Sequence, residues 1–570
     1  MSGQYSFQNN SGMTDLRCVN IVSVPGEASV AFSTVTQMAS GGTGNVLSAD
    51  AGADTISFNT FQPINGQTIF FTGGSLPAGI TAGSQPATPG SAISNPYWVL
   101  NLNVGAGTFQ VSDSYINYLA GTPVNITGTG TGTFVNLTMA LPKFIDQVTG
   151  SYLIDANGLV WGVLSDIWYY FGNTTLTNAN GNGISSYLGT FLFIFRNNKI
   201  DYMTIASKAW TYGWATLLNT NVGGSSTQAG NNYVHQPVVN TTGSGILYIP
   251  DGNVLAKIVQ TGDSTSIGTY TFTDSILLLP FKEVSTCVSV LGTNLLVGGQ
   301  SNIVYQWDRT STGYVPIYIA ESNVINIVSV NQNAYIFAGF RGRIYICNGS
   351  QASLYKKVPD HISGTIEPYF TWGGATSNRN QLYFGVKATT NAGGAISQYG
   401  GVWAIDLDTT AMRLAMKLSY ATYAGYSTAL YASTGTSVAG FGLAIGWDSG
   451  ASTYGVDQSS NTPYTGGQSV IVSDLIPVGT AIRPQTFEQV EFKLTRPLVS
   501  GETVQLLMGS SLNDYFNNTW TSLGTFSTVG QLSGYFPITL EKNQWLILEA
   551  VLTGTASSPS YVRLRELRVR

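Results

Sequence analysis

His235 and His361 are the only imidazoles in a chain of 570 residues, and imidazole is the side chain best suited to acid–base work near neutral pH. Their surroundings, Asn-Tyr-Val-His235-Gln-Pro and Pro-Asp-His361-Ile-Ser, carry no nucleophile motif, so both read as structural or solvent-facing loop positions. Asp406-Leu-Asp408 could share a divalent cation at a turn, but at a strand end followed by Thr-Thr it reads as a turn cap. Gly128-Thr-Gly-Thr-Gly132 lacks the lysine and the strand-to-helix setting of a phosphate loop, which leaves a flexible turn. Cys18, Cys287 and Cys347 are odd in number with no C-x-x-C spacing, so reduced thiols are expected rather than a disulfide framework or a zinc site. A carboxylate pair for glycoside hydrolysis is defined by separation in space, and nothing in the sequence marks one. No catalytic, cofactor-binding or metal-ligating residue is assigned, and no cofactor is expected.

The elements that would position any such group are strands. Charged residues make up only 9% of the chain, against roughly 25% in ordinary globular proteins. The apolar fraction of 43% is too high for a disordered chain. Gly, Pro, Asn and Ser punctuate short β-branched and aromatic runs throughout, which reads as nearly all β. The nearest approach to an amphipathic helix, Thr410 to Ser419, alternates as well as it spirals. A net charge of −5 removes the electrostatic pull of a sequence-independent nucleic-acid binder. The opening residues lack a signal-peptide pattern and no run approaches 18 apolar residues, so a chain made in a cytoplasm and spanning no membrane is expected. The triplets at Asn125, Asn136 and Asn348 are what an Asn/Ser/Thr-rich chain produces by chance.

Between about 141 and 470 one motif recurs: an apolar strand, a Gly/Asn/Asp turn, and a second strand with an aromatic. The instances begin at Tyr152, Leu192, Ile246, Leu295, Tyr335, Leu382 and Leu443, separated by 40, 54, 49, 40, 47 and 61 residues. That is the spacing of four-stranded propeller blades, so an all-β fold with a β-propeller of six to eight blades is expected, with stacked sandwiches as the alternative. Trp307-Asp308 and Trp447-Asp448 lack the Gly-His partner of WD repeats, and membership of that family is rejected. Arg341-Gly-Arg343 reads as a surface pair at a blade turn, or as a contact to an acidic partner.

The expected organisation is 1–40 as N-terminal strands, with Val19 to Val24 or Ala28 to Phe32 able to close the propeller; 41–135 as an inserted small β domain; 136–470 as the propeller; and 471–570 as a C-terminal β-sandwich. The insert holds Asp50, Asp54 and Asp113 as its only carboxylates, with no Lys or Arg. A surface shared with neighbouring chains is therefore expected, and with it a module removable without loss of solubility. In the last strand Val562 and Leu564 share one parity and Leu567 and Val569 the other, which predicts a bulge near Arg565 and Glu566.

The pieces Leu76-Pro-Ala-Gly-Ile-Thr-Ala-Gly, Tyr97-Trp-Val-Leu-Asn, Thr108-Phe-Gln-Val-Ser and Gly128-Thr-Gly-Thr-Gly, in that order, resemble a small β domain of tail proteins in tailed bacteriophages. The stretch from Phe492-Lys-Leu-Thr-Arg-Pro-Leu-Val-Ser-Gly-Glu502 to Arg563-Leu-Arg-Glu-Leu-Arg568 resembles the closing sandwich of phage virion proteins that carry a propeller. The resemblance covers about a third of the chain and implies a non-enzymatic virion tail protein, such as the tail nozzle or hub of short-tailed phages. It would be a ring-shaped homo-oligomer around the DNA exit channel, assembled in the host cytoplasm. Its implied partners are copies of itself, adaptor, fibre or spike proteins, genomic DNA in transit without sequence-specific binding, and the host surface. The alternative is a receptor-binding or glycan-degrading tail protein. The matched motifs are turns and strands, so no site residue follows from them.

Overall fold

The computed structural model describes residues 3–4, 13–17, 19–20, 28–30 and 32–36. From 43 to 569 it describes all but 60–62, 85–93, 165–166, 172–180, 197–198, 219–233, 241–244, 340, 359–368, 379, 388–400, 409, 411, 417, 419–425, 433–442, 450–452, 464–467, 474–475, 478–487, 511–518, 539–544 and 555–561. His361 and Cys18 lie outside the described residues.

Seven four-stranded antiparallel units follow one another from Pro142 to Pro463. Each of the seven predicted hairpins is the central strand pair of one unit: Tyr152–Asp155 with Val160–Leu164 in blade 1, for example, and Leu443–Asp448 with Tyr454–Pro463 in blade 7. The reason is burial. A blade's middle strands are covered on both faces by its neighbours, so they read as continuous apolar runs such as Phe191–Arg196, buried at every position. Outer strands are half-solvated and carry a weaker pattern, as in Trp210–Thr216. The ambiguous run near 410–419 contains the strand Met412–Met416, the outer strand of blade 6.

Blade 7 is completed by Phe32–Thr36, antiparallel to Tyr454–Pro463. This corrects the closing strand: Val19–Asn20 and Ala28–Val30 pair with each other, and the latter with Arg563–Val569, so they belong to the C-terminal sandwich. Residues 1–40 therefore serve two domains. Met13–Arg17 lies between blade 6 and the sandwich, parallel to Met412–Met416 at Arg17 and Leu414 and antiparallel to Gln468–Ser473, which fuses them into one ten-stranded sheet. The second sandwich sheet contains Gln489–Leu494 and Arg563–Val569. Their register slips between the Lys493–Glu566 and Leu494–Leu564 pairs, leaving Arg565 as the extra residue of the predicted bulge. The slip lets Leu564, Leu567 and Val569 all reach one core with Phe492 and Leu548.

The insert is a closed barrel of six strands between Thr43 and Asn136. Ile56, Ile69, Phe71, Val99, Phe109 and Phe134 are fully buried within it. Phe134 meets Phe109 edge-on at 5.3 Å, and a Cβ on Gly44 would fall 2.2 Å from its ring, so only glycine fits there. Gly128–Gly132 is not a flexible turn: Thr127 and Thr131 donate backbone hydrogen bonds to Ala78 and Ser75, and a Cβ on Gly130 would meet the Leu76–Pro77 backbone. The barrel also sits on the outer strand of blade 1, Ile167–Tyr170. There Trp98 stacks on Tyr170 at 6.3 Å and 3°, and Tyr115 meets Phe171 at 4.4 Å. Part of its surface is shared within the chain, where it covers Tyr169, Tyr170 and Phe171.

Candidate functional site

The first strands of the seven blades face one another across the propeller axis and enclose a cavity of about 510 Å3. Phe144, Ile184, Val238, Val288, Ile327 and Tyr431 represent six of the blades in its wall, and none of the lining residues is charged. Alternation of β-branched and hydroxyl residues brings this about. Ser285–Leu291 and Val324–Val330 each carry a Val-Ser-Val run, 288–290 and 328–330, and short uncharged side chains from both line the cavity.

The polar groups of this wall bind neighbouring blades to each other. Gln147 Nε2 donates to the Leu430 carbonyl at 2.8 Å (blades 1 and 7), and Gln236 Oε1 accepts from Ile184 N at 3.1 Å (entry of blade 3, and blade 2). Thr286 Oγ1 donates to the Val324 carbonyl at 2.5 Å, Ser289 and Ser329 share a hydroxyl contact at 2.7 Å (blades 4 and 5), and Asn326 Nδ2 donates to the Thr371 carbonyl at 2.7 Å (blades 5 and 6). Groups committed in this way hold a ring closed. A major groove alone is about 12 Å wide, so a cavity of this volume admits no nucleic-acid duplex.

Behind the wall Asp146, fully buried, accepts from Val148 N, Thr149 N, Thr149 Oγ1, Ser186 N and Ser186 Oγ at 2.5–3.1 Å. Sequence reading passed over this junction of blades 1 and 2. Its signal is Asp146-Gln-Val-Thr149, the local pattern of an Asx turn.

His235 is buried, its Nδ1 2.8 Å from the Pro250 carbonyl and 4.0 Å from Asp251, while its backbone N–H donates to Asn182. It joins blades 2 and 3, as a structural histidine should. Asp408 accepts from Asn380 Nδ2 at 2.7 Å across a hairpin end while Asp406 is buried, so the two carboxylates are divided between turn and interior. Among the described residues no group of three or more His, Cys, Asp or Glu is placed to hold a metal ion. Asp308 closes a turn by accepting from Thr310 N and Ser311 N, which holds its carboxyl down at about 2. Trp447 Nε1 donates to Asp457 at 2.7 Å, so neither Trp-Asp dipeptide acts as a unit. Arg343 pairs with Glu321 at 2.9 Å within the chain, and Arg341 is exposed.

Cys287 lines the axial cavity half-buried, and the loss of solvent around it pushes its thiol up to about 12; Cys347, buried, is raised by the same cause. A thiol with so small a thiolate fraction is a poor nucleophile. In the native chain a disulfide reagent at pH 8 should leave both unmodified, and peptide mapping after urea treatment should find both labelled. Prompt native labelling of Cys287 would show a reactive thiol instead.

Asp155 has the most telling titration. It accepts from Ala140 N, Asn157 N, Leu159 N and Trp161 Nε1 at 2.9–3.2 Å, yet complete burial outweighs these donors and raises its carboxyl from 3.8 to about 6. Below about pH 4 folded and unfolded chains both hold the proton; between 4 and 6 the unfolded chain releases it first. Stability from this group is therefore lost as pH rises through that window, by about 3 kcal/mol in total. Urea midpoints of the wild type should fall relative to those of Asp155→Asn between pH 4 and 6, and parallel profiles would sink the assignment.

Fold and axial wall together define a seven-bladed β-propeller with a neutral, hydrogen-bonded centre. No family model matches the sequence, and no curated protein matches it. Three solved structures are similar to part of the chain. The β-propeller domain of Cps50 (Swd1) from Myceliophteria thermophila is 10% identical with TM-score 0.38, covering 57% of this chain and 97% of that one. YCF48 bound to a D1 peptide is 11% identical with TM-score 0.37, covering 56% and 92%. The computationally designed Ika8 protein is 10% identical with TM-score 0.33, covering 59% and 93%.

Proposed function

We propose that this chain is a non-enzymatic structural component of a bacteriophage tail, a nozzle or hub subunit that works in a ring of identical copies. The observation that carries the reading is the routing of the chain. Strands before residue 31 lie in the sandwich, Phe32–Thr36 seals blade 7, the barrel follows, and the sequence returns through the propeller to the sandwich. The propeller and the sandwich are thus each closed by a segment distant in sequence, and tension on one cannot peel it off without opening the other. That suits a part that transmits force during host attachment and genome ejection.

DNA would pass through the space enclosed by several copies rather than along the propeller axis. A net charge of −5 favours such passage, since each phosphate held by Lys or Arg would add affinity that retards it. Glycan binding is the competing reading, favoured by the half-exposed stack of Trp210 and Tyr212 on the outer strand of blade 2.

Locating the chain by cryo-electron microscopy in purified virions tests the proposal. A multicopy ring at the tail is the expected result. Absence from the tail, or sustained release of reducing ends from host polysaccharide by the purified chain, would overturn it.

A further inference from the structure

The linkers joining blades 3 to 4 and 4 to 5 are built alike and differ in one place. Leu279 N donates to the Asn253 carbonyl just as Ile319 N donates to the Asn302 carbonyl, so these two buried residues are equivalent. At the far end of each linker Val284 and Asn323 are equivalent as well, their carbonyls accepting from Gln300 N and Gly339 N. Three residues, Ala320 to Ser322, separate Ile319 from Asn323, whereas four, Pro280 to Glu283, separate Leu279 from Val284. The propeller closes without the extra residue, and Phe281 does not pack on it. Phe281 is 74% exposed and the neighbouring Leu278 64%, with Lys282 beside them at φ 77°. A bulky residue at positive φ is uncommon, and an apolar knob left in water marks a contact surface.

The complementary surface lies on the barrel. The helix Tyr115–Leu119 buries Tyr115 against blade 1 and turns the opposite face outward. That face carries Ile116 (49% exposed) and Leu119 (50%), and exposed Asp113, just ahead of the N-cap Ser114, accepts from Asn117 Nδ2 at 2.7 Å. It belongs to the tract that holds three carboxylates and no Lys or Arg. Low charge with exposed aliphatic residues is the composition of an interface centre. One surface is apolar with a cation, the other apolar with an anion, and they stand apart on the same molecule, one between blades 3 and 4 and one on the barrel.

We infer that the occupant of the Leu278–Phe281–Lys282 knob is a second copy of this chain, which seats the outward face of its Tyr115–Leu119 helix there and sets its Asp113 against Lys282. Two different surfaces make the contact heterologous, so it repeats from copy to copy and closes into a ring or grows as a filament. The inference rests on the reading of the chain as a repeated unit and names the surfaces by which it repeats.

The test uses the full chain with single cysteines introduced at the two surfaces, Ile116→Cys and Phe281→Cys. Under mild oxidation a mixture of the two variants should give a covalent dimer that neither gives alone. The double variant should give a ladder of higher multimers. Charge reversal by Lys282→Glu should weaken association at least about tenfold, and adding Asp113→Lys should restore it. Native mass spectrometry supplies the oligomeric state of each variant. Wild-type oligomers without the mixed cross-link and without charge rescue would overturn these surfaces while leaving the ring reading in place. A chain that stays monomeric at high micromolar concentration would overturn the inference too, whereas the tail assignment fails separately, on absence from the virion.

Discussion

Alanine at Asp146 is expected to destabilise the chain by about 3–5 kcal/mol, because five donors drawn from two blades lose their common acceptor. The carboxylate and Ser186 are both fully buried, so the Ser186 N–H and Oγ–H lose their charged acceptor in the interior. Ser186→Ala removes only the hydroxyl donor, so its cost should be about 1–2 kcal/mol. Asn at 146 keeps one acceptor and presents an amide where donors already point, which places it between the two. Urea unfolding followed by tryptophan fluorescence reads this order. An unchanged midpoint for Asp146→Ala would show that the blade 1–2 junction does not depend on the carboxylate.

Trp98→Ala is the second large change expected, about 3–5 kcal/mol, and it should act by loosening the barrel rather than by unfolding it. The indole is 2% exposed, stacks on Tyr170 and donates through Nε1 to the Tyr170 carbonyl at 3.2 Å. The barrel's own centre is the separate set around Phe71, Phe109 and Phe134. Limited proteolysis should therefore release a barrel-sized fragment from the variant and not from the wild type. Removing 41–135 outright uncovers Tyr169, Tyr170 and Phe171 together, and the soluble yield should fall steeply. A fully soluble deletion, or a variant as protease-resistant as the wild type, would show that this seam holds nothing.

What could be read in advance followed the range of the interaction. Tyr152 to Trp161 contains its own turn, its own strand pair and its own burial pattern, so the hairpin is written locally, as are the six others. The change of parity around Arg565 is likewise local, and it located the bulge. The strand that seals blade 7 was not legible. Val19–Asn20, Ala28–Val30 and Phe32–Thr36 have similar β propensity, and only a partner more than 400 residues away distinguishes them. Gly128–Gly132 misled because its glycines speak of loose backbone, whereas close approach to Ser75–Ala78 is what requires them. Asp146 is an ordinary turn aspartate by sequence, and its weight comes from Ser186, 40 residues further on.

The late arrival of blade 7's partner has a consequence on the ribosome. Phe32–Thr36 is synthesised long before Tyr454–Pro463, to which it is hydrogen-bonded. At about 5–20 residues per second the nascent chain carries that strand unpaired for on the order of half a minute. The barrel between Thr43 and Asn136 can close early in that interval, since all its strands emerge together. The ring of blades cannot, and through most of translation it is an open arc with a bare sheet edge at its growing end. Crowded polysomes bring such edges from neighbouring ribosomes close to one another, so yield should respond to chaperone supply and to slower translation more than to any change in the finished molecule's stability.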